Sequence, residues 1–236
     1  MQKENFVLGS YVHVTKRGVR GLPIVRDKED RDRFMLMLCH FNDTYSSQNW
    51  YRDIRESDVR NSYERPAHWP KQERLVNIVA FCLLNNHFHL VLEERQENGI
   101  SRFMHKLGTG MAMKFNERYD EKGALFQGPY HARTISDDRY LRYVSAYVQF
   151  KNALDMYPGG KKMPQRNFDA AFAWASRYSY SSLGDYIGVF DRPIVEKTFL
   201  KSLSTQKEYR AYCKDFYYGR CEADENIQEH ITGVFE

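Results

Sequence analysis

The alternation of hydrophobic and polar positions predicts three strands in the first hundred residues. Residues 6–15 alternate, and the pattern places Tyr11, His13 and Thr15 on one face of the first strand. Residues 76–81 form a second strand, and a turn at 83–86 joins it to a third strand. Since successive side chains of a strand point to opposite faces, each strand is expected to have one buried face.

Segments with helical spacing of hydrophobic residues lie between these strands and after them. Residues 27–41 begin with acidic side chains and continue with hydrophobic ones, and from Ser101, a candidate cap, hydrophobic residues recur every three or four positions. Residues 124–135 return to a strand or hairpin edge, and residues 136–154 form a last helix. This order predicts an α+β fold with a ferredoxin-like or RNA-recognition-like core, in which helices flank a small, largely antiparallel sheet.

The pattern also predicts how the chain is organised. We expect residues 1–160 to form the core, with an insertion or loop at 42–70, and residues 161–236 to form a polar, aromatic-rich C-terminal extension. No stretch reaches the ~18 apolar residues that span a bilayer, and the first residues lack the apolar core of a signal peptide. The four cysteines have no short paired spacing, which is typical of reduced thiols. We therefore expect a cytoplasmic protein with no membrane partner.

Positive charge is concentrated in two segments. Residues 1–26 hold five basic and one acidic side chain, and residues 101–151 hold nine and five, so each segment has a balance of +4. If the two segments pack together, they would form a basic surface suited to phosphates, although scattered solvated charges explain the balance equally well.

His87 and His89 are the candidate metal ligands. On a strand, residues two apart share one face and lie about 7 Å apart, while Phe88, Leu90 and Leu92 would cover the other face. Neutral imidazole is a common ligand of divalent cations. The alternative is that both histidines face solvent or are satisfied by hydrogen bonds, and this short motif alone does not separate the two interpretations.

Tyr147 is the candidate nucleophile. It forms a helical stripe with Tyr140 and Tyr143, which we interpret as amphipathic aromatics at the boundary between helix and sheet. Tyr147 differs because the small side chains of Ser145 and Ala146 leave room around its hydroxyl. A phenol that faces a metal-binding strand suggests phosphoryl transfer, since a cation and a polarised phosphate lower the barrier to its attack.

Several segments, in this order and spacing, resemble the IS200-like single-tyrosine HUH transposases, and most closely their REP-associated tyrosine transposase branch. The resemblance rests on residues 11–18, 85–91, 125–130 and 140–149, with a further segment at 178–186. It implies metal-dependent cleavage and rejoining of single-stranded DNA that carries hairpin or repeat elements. In that reaction His87 and His89 hold Mg²⁺ or Mn²⁺, and Tyr147 forms a 5′-phosphotyrosine link and releases a 3′-hydroxyl. The family includes monomers and dimers, so both remain open.

The third metal ligand is where the sequence departs from the family. The family commonly places Gln or Asn four residues after the tyrosine, where this chain has Lys151, whose ammonium offers no lone pair. Asn152, one residue further, is the expected oxygen ligand if the helix loosens in its last turn. Alternatively, Lys151 neutralises the phosphate directly and water completes the metal shell.

Phosphate contacts are expected from seven basic residues in these segments: Lys16, Arg17, Arg20, Arg102, Lys106, Lys114 and Lys151. Trp50, Tyr51 and Trp69 could stack on bases, although anchoring of the 42–70 loop is the favoured interpretation. Two other functions compete with the transposase prediction. One is a catalytically weak or inactive nucleic-acid-binding protein derived from a transposase, which Lys151 favours. The other is a metal-dependent hydrolase without a covalent intermediate, for which no motif supplies a general base.

Overall fold

Four antiparallel strands form one sheet in the order β2–β3–β1–β4. The strands are β1 (Tyr11–Arg17), β2 (Val76–Leu83), β3 (His87–Glu94) and β4 (His131–Thr134). The structure is a computed structural model that describes residues 6–56, 63–158, 167–198 and 204–221. Helices flank this sheet, and its strand order is that of a ferredoxin-like core, so the predicted α+β fold is confirmed.

One face of the sheet packs against α1 (Lys28–His40) and α3 (Gly99–Tyr119). The hydrophobic core on this face includes Phe88, Leu90 and Leu92 from β3, as the alternation predicted. Residues 42–70, predicted as an insertion or loop, contain one short helix, α2 (Trp50–Glu56), whereas residues 57–62 of that segment lie outside the described residues.

The start of α3 differs from the prediction. Ser101 is not its cap, because the helix begins at Gly99 and the Glu94 carboxylate accepts hydrogen bonds from the backbone N–H groups of Gly99 and Ile100, at 2.9 and 2.8 Å. A carboxylate at this end also suits the positive pole of the helix dipole. A Cβ at residue 99 would lie 2.1 Å from the carbonyl oxygen of Leu75, so only glycine fits there.

The other face of the sheet packs against the predicted last helix, which is divided into three parts. They are α4 (Asp138–Ala146), a π-helix (Tyr147–Lys151) and α5 (Asn152–Leu154). The Asp137 side chain caps α4 by accepting from the backbone N–H of Tyr140 at 2.8 Å. π-Helices are rare and often occur at functional sites, so the position of this one beside Tyr147 bears directly on the candidate chemistry.

The described parts of the C-terminal extension pack onto this helix. They form α6 (Phe168–Arg177), α7 (Leu183–Ile187) and α8 (Gln206–Tyr217). The ring of Phe150, in the π-helix, lies 5.9 Å from that of Phe168, 5.8 Å from Phe172 and 6.0 Å from Tyr217, measured between centroids. These helices thus share a hydrophobic core with the helix that carries Tyr147. Within the described ranges, no helix is both long enough and apolar enough to cross a membrane.

Candidate active site

The strand register brings His87 and His89 onto the face that carries α4 and the π-helix. His89 lies opposite Thr15 of β1 and Cys82 of β2, and His87 lies opposite Arg17. Directly opposed residues of antiparallel strands project to the same side, so these side chains share one face. The centroids of the two imidazole rings are 5.0 Å apart. The predicted pairing of the histidines on one face is therefore present.

The turn before His87 is tied by hydrogen bonds to the basic turn that follows β1, at residues 18–21. The backbone N–H of Gly18 donates to the carbonyl oxygen of Asn86, and that of Ile24 donates to the carbonyl oxygen of Asn85, both at 2.8 Å. A Cβ at residue 18 would lie 2.2 Å from the carbonyl oxygen of Leu22, so the close approach requires glycine. These bonds hold the start of the histidine strand in place.

The hydrogen bonds of Asn86 determine the tautomer of His87. The Asn86 Nδ2 donates to the carbonyl oxygen of Gly21 at 3.0 Å, which leaves its Oδ1 facing His87 Nδ1 at 2.7 Å. Because a carbonyl oxygen only accepts, Nδ1 carries the proton and the neutral ring has its lone pair on Nε2. Burial, together with the charge of Arg17, lowers the pKa of His87 to about 4. Near pH 7 this ring is neutral, which is the form that binds a metal.

His89 is fully buried and contacts two other aromatic side chains. Its Nδ1 lies 3.0 Å from the Nε2 of His13, on β1. The edge of its ring meets that of Tyr147 at 5.7 Å between centroids. The sequence placed His13 on the same strand face as Thr15, but gave no reason to assign it to the site. The structure therefore adds His13 to a buried row that runs through His89 to Tyr147.

Tyr147 is only 4 % exposed. Burial, with a smaller contribution from the charge of Asp155, raises the pKa of its phenol well above the ordinary value. The Lys151 Nζ lies 5.6 Å from the centroid of the Tyr147 ring and donates to Asp155 at 2.7 Å. The phenol therefore stays protonated near pH 7 unless a bound cation stabilises its anion.

The π-helix turns Asn152 inward. The backbone N–H of Asn152 donates to the carbonyl oxygen of Tyr147, five residues earlier, so the turn is one residue wider than an α-helical turn. Asn152 is 1 % exposed, whereas the Lys151 side chain is 44 % exposed. The Asn152 Nδ2 is buried and has no hydrogen-bond partner among the described residues. The loosening that the Asn152 prediction required is present.

The chemical types of these side chains, two neutral imidazoles and a carboxamide, are ones that bind divalent cations. Across the described ranges, no group of three or more His, Cys, Asp or Glu side chains is placed to hold a metal ion. Among the described residues, a third protein ligand beside His87 and His89 would be of another type, and a carboxamide oxygen is one that Mg²⁺ and Mn²⁺ accept.

The predicted phosphate-binding residues are divided between the two faces of the sheet. Arg17 and Lys151 act on the histidine face, since the charges of both lower the pKa of His87. Lys16 points to the opposite face, where its Nζ donates to the carbonyl oxygen of Gly128 at 2.9 Å. Arg20 is exposed on the basic turn, in the left-handed region at φ 53°.

The basic residues of α3 also lie away from the histidines. Lys106 donates to the backbone carbonyls of Asp43 and Tyr45, and Lys114 pairs with Glu117 at 3.2 Å. Arg102 is exposed on the same helix. A cavity of about 510 Å³ on this side is lined in part by Lys106, Lys114, Trp50 and Trp69. Contact of these residues with DNA stays a prediction.

Residues 49–151 match the family model described as IS200-like transposase. Over that segment the chain is similar to the IS200-like transposases. The matched segment contains His87, His89 and Tyr147. A solved structure of a REP-associated tyrosine transposase bound to a REP hairpin is similar to the chain, with a TM-score of 0.45 and 12 % identity. The similarity covers 83 % of this chain and 89 % of that one. No curated protein matches the chain.

Proposed function

We propose that this protein is a transposase that cleaves and rejoins single-stranded DNA at hairpin or repeat elements through a covalent bond to Tyr147. The observation that carries the proposal is the edge contact of the Tyr147 ring with His89, at 5.7 Å, on the sheet face that also carries His87. A nucleophile and two candidate ligands of a cation are thereby brought together on one face of the sheet. That combination suits attack on a phosphate.

His87 and His89 would hold Mg²⁺ or Mn²⁺ through their Nε2 atoms, and Asn152 would add its carboxamide oxygen. When bound, the cation supplies a Lewis acid that stabilises negative charge on the scissile phosphate. Asn86 orients His87 for this role by accepting from its Nδ1. Such hydrogen bonds from a ligand's second nitrogen fix its tautomer and the direction of its lone pair.

The phenolic oxygen of Tyr147 would attack the phosphorus atom, and the bond from phosphorus to the 3′-oxygen would break. The phenolic proton ends on the departing 3′-oxygen, so the products are a 5′-phosphotyrosine link and a 3′-hydroxyl. The reverse reaction with another 3′-hydroxyl rejoins DNA without a nucleotide cofactor. Arg17 and Lys151 would bind phosphate oxygens. The ion pair of Lys151 with Asp155 is exposed to solvent. Lys151 can therefore leave Asp155 and bind a phosphate at little cost in free energy.

The test is incubation of the protein with labelled, hairpin-bearing single-stranded DNA and Mn²⁺, followed by denaturing electrophoresis. We expect a slowly migrating, protease-sensitive DNA band that EDTA abolishes. Binding without any adduct across a broad oligonucleotide panel would contradict the proposal. That result would instead favour a binding protein derived from a transposase, the alternative that Lys151 supports. Free cleaved DNA without an adduct would favour a metal-dependent hydrolase that forms no covalent intermediate.

Replacing Asn152 with Leu tests the third ligand. We expect Mn²⁺ binding to weaken on the order of tenfold, because one oxygen ligand is lost from the cation. Asn152→Asp is the matched control, since it retains a ligating oxygen at the same place and should bind Mn²⁺ at least as tightly. Titration followed by the electron paramagnetic resonance of free Mn²⁺ measures both. Equal affinities in the Leu variant and the wild type would show that Asn152 is no ligand and favour the arrangement in which water completes the shell.

A further inference from the structure

We propose that His13 is a positioning residue that keeps the proton of His89 on Nδ1 and so directs the lone pair of His89 Nε2 into the active site. The consequence for metal binding rests on the proposed function. The hydrogen bond itself, and the nitrogen that donates in it, can be examined in the protein without metal. His13 would act through His89 and touch neither the DNA nor the cation.

The geometry narrows the protonation to two states. His89 Nδ1 and His13 Nε2 are 3.0 Å apart, and the two rings are inclined by only 14°. A single proton lies between the two nitrogens. If His13 donates it, the Nδ1 lone pair of His89 accepts the hydrogen bond, and a neutral His89 carries its single ring proton on Nε2. If His89 donates it, Nε2 holds the lone pair, and only this state leaves a nitrogen that can bind a metal.

The location of His13 makes it a rigid partner. It is 2 % exposed and His89 is fully buried, so neither ring has ready access to bulk water. His13 lies on β1, the strand paired on both sides, opposite Val91 of β3 and Arg133 of β4. A hydrogen bond between two buried groups on adjacent, paired strands holds both rings in fixed orientations.

The Nδ1 of His87 is also held by a hydrogen bond, but its acceptor is an amide oxygen. This nitrogen donates to Asn86 Oδ1 at 2.7 Å, as the bond from Asn86 to Gly21 requires. With His13 accepting from His89, each histidine of the pair would therefore donate through Nδ1 and present Nε2. The bond from His87 Nδ1 to Asn86 is an observation independent of the distance from His13 to His89, and donation by His89 Nδ1 would repeat it at the second histidine. An imidazole acceptor here takes the place that a carboxylate or carbonyl occupies in many metal sites.

The direct test is nuclear magnetic resonance of the metal-free protein labelled with ¹⁵N in histidine. We expect His89 to be protonated on Nδ1 and a through-hydrogen-bond coupling to join that nitrogen to His13 Nε2. A His89 protonated on Nε2, or no coupling between the two rings, would overturn the proposal. This measurement needs neither DNA nor metal, so it remains decisive even if the wild type proves to bind no Mn²⁺ and the proposed function fails.

Two variants of similar side-chain length test the consequence. His13→Gln keeps a carbonyl acceptor near the position of Nε2, whereas His13→Met fills the space without one. We expect His13→Met to bind Mn²⁺ about 10–100-fold more weakly than the wild type and His13→Gln to restore most of the loss. Thermal unfolding confirms that each variant folds. Wild-type affinity in a folded His13→Met would contradict the proposal, and if that variant does not fold, the coupling measured in the wild type decides.

Discussion

Tyr147→Phe is expected to reduce the covalent DNA adduct to below detection. The substitution removes only the hydroxyl and keeps the ring that meets His89 edge-on at 5.7 Å, so the buried packing is retained. Without the phenolic oxygen there is no atom to form the bond to phosphorus. The variant should still bind Mn²⁺ with the wild-type affinity, because its loss lies in the chemical step.

Tyr143→Phe is the matched control, one helical turn before Tyr147. Its ring packs against Phe216 of α8 at 4.9 Å between centroids, so this tyrosine serves the contact between helices. We expect Tyr143→Phe to form the adduct at the wild-type rate in the same electrophoretic assay. An adduct that persists in Tyr147→Phe and disappears in Tyr143→Phe would assign the nucleophile to Tyr143.

Phe150→Ala is expected to destabilise the fold by about 3–5 kcal/mol, the usual loss for a buried phenylalanine. Phe150 is fully buried, and its ring lies within 6.0 Å of the rings of Phe168, Phe172 and Tyr217. Removing it opens a cavity among these three C-terminal aromatics. Urea unfolding followed by circular dichroism measures the change in the free energy of unfolding.

Met113→Ala is the control for that measurement, because Met113 is 69 % exposed on α3. We expect a change within about 0.5 kcal/mol, as at most exposed positions. If Phe150→Ala had an effect as small as Met113→Ala, the C-terminal helices would not be stabilising the sheet. Two separate unfolding transitions in the wild type would likewise show that they form an independent unit.

The alternation around His87 was sufficient to predict one half of the site. Phe88, Leu90 and Leu92 enter one hydrophobic core while both histidines face the other side of the sheet. The reason is that successive side chains of a strand point to opposite faces. The start of α3 was missed for a local reason. Its capping group is the carboxylate of Glu94, at the end of the preceding strand, and not a residue at the usual capping position.

The other half of the site depended on contacts between distant segments. His13 and His89 are 76 positions apart, and only the register of β1 against β3 brings them together. The π-helix was likewise not indicated by helical periodicity, which put Lys151 beside Tyr147 and left Asn152 off that face. Packing of Phe150 among the C-terminal aromatics stabilises this wider turn, and helix propensity contains no information about such packing.

The positions of the basic residues also depended partly on the local sequence and partly on contacts between distant segments. β1 continues through Lys16 and Arg17, two residues beyond the predicted strand, so these side chains lie on opposite faces of the sheet. The partners of Lys106 are the backbone carbonyls of Asp43 and Tyr45, more than sixty positions earlier in the sequence, so its packing against the 42–70 segment was not readable from charge.

The helix that carries Tyr147 is enclosed on two sides, by the sheet and by the C-terminal helices. Withdrawing it from His89 would expose Phe150 and the aromatics around it to water, at a cost of several kcal/mol. Tyr147 is therefore held in a fixed position beside His89. In the strand exchange that we propose, the DNA ends would therefore have to move to and from a tyrosine that stays in place.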